Sequence, residues 1–79
     1  MDVVLELGDI IVDKVTGEAG LLVYRYKLAE ISEYQLSLWV WNIFWIGKNI
    51  PDNDRLQPWT EFGLINIIKT GTFKLVKNN

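Results

Sequence analysis

The chain contains no cysteine and no histidine. The first absence excludes disulfide staples, thiolate metal sites and cysteine nucleophiles; the second removes imidazole as a metal ligand, general base or proton shuttle near neutral pH. Only two prolines occur in 79 residues. No proline-, glycine- or serine-rich linker divides the chain, and its length leaves room for one domain. Clustered positive charge is missing too: eight scattered Lys and Arg stand against ten Asp and Glu, a formal charge of −2. That balance argues against a free-standing nucleic-acid binder, because phosphate contacts need clustered Lys and Arg. The longest strongly apolar stretch, Leu36 to Gly47, is about twelve residues and is broken by Ser37 and Asn42, against the roughly twenty a membrane helix needs. MDVVLELGD at the start carries acids where a secretory signal would carry Lys or Arg, so the expected compartment is the cytoplasm.

What is present is the composition of a folded protein: 49% hydrophobic and 13% aromatic, with four tryptophans. Disorder as the main state is excluded. A domain this small buries only roughly 60–65% of its unfolded surface, so its thin core has to draw on large side chains.

Along the chain, Asp9 to Asp13 (DIIVD) reads as a short β-branched strand. The glycines of Thr16 to Gly20 (TGEAG) supply positive φ for a turn into a hairpin. From Gly20 to Leu28, Leu21, Val23 and Arg25 alternate with Leu22, Tyr24 and Tyr26. Glu30, Ser32 and Glu33 mark a polar connection. The stretch Leu36 to Ile46 sorts with a period of two into Leu38, Val40, Asn42, Phe44 and Ile46 on one face and Trp39, Trp41, Ile43 and Trp45 on the other. Such a strand either serves two packing surfaces in a curled barrel or shows one face to a partner. Lys48 to Pro58 reads as a polar loop whose two prolines end the ladder. Thr60 is then an N-cap, with Trp59 as the staple before it and Glu61 in the first turn. Leu64, Ile65, Ile67 and Ile68 form a stripe at helical spacing, Lys69 meets the dipole, and Gly71 stands at C′. Thr72 to Val76 closes as a strand with Phe73 and Leu75 inward, and Lys77 onward is expected to fray.

That order predicts a mainly β fold, a small antiparallel barrel with one short helix before the last strand. With its opening strand after Leu7-Gly8-Asp9, glycine-containing loop, long bent middle strand and helical turn before the last strand, the chain resembles SH3-like barrel domains. The combination of GDIIVDKVTGEAGLLV, WVWNIFW, QPWTEFGL and GTFKLVKN further resembles small proteins carried by tailed phages, especially marine ones. The resemblance implies a viral source, with the host cytoplasm or the virion as compartment. It implies no defined activity and brings no catalytic residues.

Candidate chemistry is sparse. Asp52-Asn53-Asp54 offers oxygen ligands to a hard cation, but the EF-hand pattern fails at Leu56 and a solvated turn accounts for the same residues. Asp9 and Asp13 read as strand-end caps and loop acids. Ser32, Ser37, Thr16, Thr60, Thr70 and Thr72 have no histidine to activate them. The expectation is a non-enzymatic module that needs no cofactor and no metal. Ring faces bind methylated ammonium, proline-rich peptide or single-stranded bases. An aromatic patch of Tyr24, Tyr26, Trp39, Trp41 and Trp45 is therefore the candidate surface for docking on another protein or on copies of the chain. Core filling is the competing use of these rings. The alternative is a nucleic-acid-binding barrel, with Arg25, Lys27, Lys48 and Arg55 around the rings. No membrane role is expected.

Overall fold

The computed structural model describes residues 2–31, 36–47 and 50–78. Its elements are β1 (Ile10–Asp13), β2 (Ala19–Ile31), β3 (Leu36–Ile46), a 3₁₀ turn at Asp52–Asp54, β4 (Leu56–Thr60), α1 (Glu61–Lys69) and β5 (Phe73–Val76). The strands make one antiparallel sheet in the order β4-β3-β2-β1-β5. The fold is thus mainly β with a single helix before the last strand. The sheet is not closed by hydrogen bonds: among the described residues no ladder joins β4 to β5, and α1 packs against β3, β4 and β5 instead.

The alternation in β3 decides which face is inside. Trp41, Ile43 and Trp45 are buried, joined by Ile11 of β1, Leu22 of β2, Phe73 of β5 and Leu64 of α1. The helix seals this inner face as its sequence predicts. Thr60 Oγ1 accepts from the Gly63 N–H at 3.1 Å, and Gly71, at φ +92°, ends the helix with its N–H donating to the Ile68 carbonyl. Trp59, beside the cap, packs against the same core.

Four expectations change. Gly20 is not a positive-φ turn residue; it lies in β2 opposite Trp45, where a Cβ would stand 2.9 Å from Trp45 Cε3 and nearer still to Ile43. The missing side chain lets the inner rings approach the backbone, while Gly17 alone takes the positive φ of that loop. Pro58 does not end the ladder. It sits in β4, paired with Asn42, because one side of an edge strand faces no partner and needs no donor there. The alternation in β2 is broken by a register shift between Leu22 and Tyr24, a bulge that turns Tyr24 and Tyr26 to the outer face and Arg25 and Lys27 to the inner one. Finally, Lys77 and Asn78 are held by Asp9 rather than frayed. Within the expected polar connection, β2 runs on through Ile31, and Ser32 and Glu33 lie outside the described residues.

The β2–β3 hairpin is longer than its neighbours. β1 covers only Ala19 to Leu21 of β2, and β4 covers only Val40 to Phe44 of β3. Beyond them Lys27 to Ile31 pairs with Leu36 to Trp39 as a two-stranded ribbon, in keeping with a longest dimension of 44 Å.

Candidate functional site

The five aromatic candidates do not form one patch, because the sheet lies between them. Trp41 and Trp45, at 2% and 8% exposure, belong to the core. Trp45 meets Phe73 edge to face at 5.6 Å, and Phe73 meets Trp59 at 5.3 Å. Gln57 Oε1 accepts both the Trp45 and Trp59 indole N–H, at 3.0 and 2.8 Å. Trp39 is half-buried further along the same face. On the other side of the sheet Tyr24 and Tyr26 sit ring to ring at 5.7 Å.

Of the four cations of the nucleic-acid reading, the three among the described residues sit against partners. Arg25 stacks over Trp39, its Cζ 3.9 Å from the ring centre, and donates through Nε and Nη2 to both oxygens of Glu61 at 3.2 Å. Glu61 also accepts the Trp41 indole N–H at 2.9 Å. Lys27 lies 5.7 Å from the Trp39 ring. Arg55 pairs with Asp52 and donates to the Trp45 carbonyl, and Lys48 lies outside the described residues.

The acids are placed just as definitely. Asp13 Oδ1 accepts from the Val15 and Thr16 N–H groups as a turn cap. Asp9 is a buried carboxylate. Burial pushes its carboxyl up, but hydrogen bonds from Lys77 Nζ and the Glu6 and Asn78 N–H groups, with the Lys77 charge, outweigh that and hold it below the ordinary value. Lys77 Nζ donates to the Asp9 and Glu6 side-chain carboxylates, and these bonds raise its ammonium above the ordinary value. Among the described residues no three acidic side chains converge as a metal site, and Asp52, Asn53 and Asp54 are an exposed 3₁₀ turn. A cleft of about 320 Å³ is lined by Asp13, Glu18 and Asp54 and by the Trp45, Trp59 and Phe73 rings. With both indole N–H groups bound to Gln57, those rings offer it no donor. No helix among the described residues is long and apolar enough to cross a membrane.

The surface that sequence alternation places correctly but leaves without a role is the outer face. Val76 pairs with Ile10, Ile10 with Leu21, Leu21 with Phe44 and Phe44 with Leu56. The register thus lines up five apolar side chains in one row across the whole sheet. Ile46 and Tyr24 flank the row, and Phe44, Ile46, Leu56 and Tyr24 are between 41% and 58% exposed. The signal for this row is the Phe44/Ile46 set of β3, which the indole face outweighs in hydrophobicity. No protein family, curated protein or solved structure matches the chain, so this geometry carries the functional reading.

Proposed function

We propose that the chain is a non-enzymatic protein-interaction module that docks through the outer face of its sheet. The observation that carries this reading is the apolar row Val76-Ile10-Leu21-Phe44-Leu56, left open to solvent on the side of the sheet away from α1. An apolar row that crosses every strand is a docking surface in the physical sense: covering it removes contiguous non-polar area from water. Trp41 and Trp45 pack the opposite face of the same strand into the core. Of the five aromatic candidates, Tyr24 and Tyr26 lie on the docking side.

The test is site-specific photo-crosslinking in cells expressing the protein. A benzophenone side chain in place of Phe44 is expected to give discrete adducts. The same group in place of Phe62, 82% exposed on α1, is expected to give none of them. No discrete adduct from position 44 overturns the reading.

A further inference from the structure

Resting on that reading of the outer face, we infer that the partner it takes is a second copy of this chain, packed sheet on sheet about a twofold axis. Three observations support a copy of itself as the occupant. The first is area. Ile10, Val76, Phe44, Leu56, Tyr24 and Ile46 are between 37% and 58% exposed, which with typical whole-residue areas amounts to roughly 550 Å² per chain, backbone and the Tyr24 hydroxyl included, near the upper end for a monomer's largest apolar patch. Two such faces covered in full remove at most roughly 1,100 Å² from water, which reaches the ~1,000 Å² that a specific interface has to clear.

The second is symmetry. The row runs perpendicular to the strands with Leu21 at its middle. A twofold axis lying between the sheets along the strand direction sets Leu21 against its own copy, Ile10 against Phe44, and Val76 against Leu56. The row is therefore complementary to itself, as an isologous contact requires, and face-to-face packing about 10 Å apart closes at two chains. Growth through the sheet edges is blunted, since β4 carries Pro58 and β5 has four residues.

The third is charge. Among the paired outer-face positions of the described strands the only charged residue is Lys74, opposite Val12 at the β5 side. The twofold sends the two Lys74 side chains to opposite borders of the interface. A partner selected by charge would find only Lys74, at the border, to read, whereas a second such sheet loses no ion solvation along the row on docking.

The experiment is light scattering on a size-exclusion column from about 10 to 500 µM, with Phe44→Lys and, as control, Phe62→Lys. Wild type and Phe62→Lys are expected to approach twice the 9.2 kDa chain mass, and Phe44→Lys to halve it while keeping its circular dichroism. Should Phe44→Lys fail to fold, a wild-type dilution series by amide NMR is expected to shift Ile10, Leu21, Phe44 and Leu56 and to leave Leu64 in place. Wild type that stays at 9.2 kDa throughout overturns the self-partner. It leaves the docking reading standing if position 44 still cross-links to another protein. A dimer that survives Phe44→Lys, or dilution shifts confined to other residues, overturns the self-partner on this face, and the absence of any position-44 adduct overturns the docking reading as well.

Discussion

The Asp9 carboxylate and the Lys77 ammonium, 68 residues apart in sequence, meet at 2.5 Å. Asp9 is 1% exposed, and its two oxygens also accept the Glu6 and Asn78 N–H groups at 2.9 and 3.1 Å. One side chain thereby ties the segment before β1 to the segment after β5. A buried carboxylate is tolerated here because both of its oxygens are hydrogen-bonded and a cation lies against it.

Replacing it tests that account through pH. The Asp9 carboxyl lies below its ordinary value of 3.8, so its contribution to stability is complete above that value and is lost as pH falls through the lowered one. Lys77 lies above its ordinary 10.5, so its contribution is complete below that value and is lost as pH rises through the raised one. Thermal melts of wild type should therefore show a plateau between roughly pH 5 and 10, with falls at both ends. Asp9→Asn should lower stability on the plateau by about 2 kcal/mol and flatten the acid fall. An unchanged acid limb in the variant would show that other carboxylates control acid unfolding.

Gly20→Ala carries a different prediction. Alanine suits a strand better than glycine does, so local preference alone says the change stabilises. At this position the new methyl would overlap Ile43 and stand 2.9 Å from Trp45, and overpacking of that kind costs about 1–3 kcal/mol. Urea unfolding should show the midpoint fall. Gly17→Ala meets no neighbour within 4 Å but must adopt φ +79°, which costs about 1 kcal/mol. A stabilised Gly20→Ala would mean that the inner rings do not press on β2.

These two sites mark the limit of what the sequence discloses. α1 is legible because its signals are local: Thr60 caps the third N–H after it, Glu61 and Lys69 match the dipole, and Gly71 ends the helix. The two faces of β3 are legible because its register is unbroken across Leu36 to Ile46. β2 is not, because the bulge at Val23 that reverses Tyr24, Arg25 and Tyr26 arises from pairing with β3 and leaves no mark on the alternation itself. Pro58 hides β4 because the freedom of an edge strand to lack a donor is a property of the assembled sheet. Asp9 looks like any strand-end acid until the C-terminal segment is laid over it. The candidate patch failed as a unit for the same reason as β2: its members sit on strands whose relative faces are set by that bulge.

Trp41→Phe separates core filling from hydrogen bonding in the largest buried side chain. The indole N–H donates to Glu61 at 2.9 Å, while Arg25 holds both Glu61 oxygens. Phenylalanine keeps most of the apolar contact and leaves Glu61 still paired with Arg25. The expected cost is about 2 kcal/mol from lost volume and one hydrogen bond, against about 3–5 kcal/mol for Trp41→Ala. Equilibrium unfolding of the two variants checks it. Equal losses would show that the ring volume phenylalanine retains contributes nothing at this position.

Oligonucleotide binding is the outcome expected to be absent. A single-stranded groove needs cations free to follow the backbone and rings free to stack on bases. Here the guanidinium of Arg25 already lies 3.9 Å over Trp39 and forks onto Glu61, so it covers the ring a base would use and brings a carboxylate beside it. Arg55 is tied to Asp52 and to a backbone carbonyl. Fluorescence anisotropy with labelled single-stranded DNA at about 20 mM salt should therefore show no saturable binding, and Glu61→Gln, which frees Arg25 of its counter-charge, should be the change that brings binding in. Saturable binding by wild type that weakens steeply with salt would instead place Arg25 and Trp39 at a nucleic-acid interface.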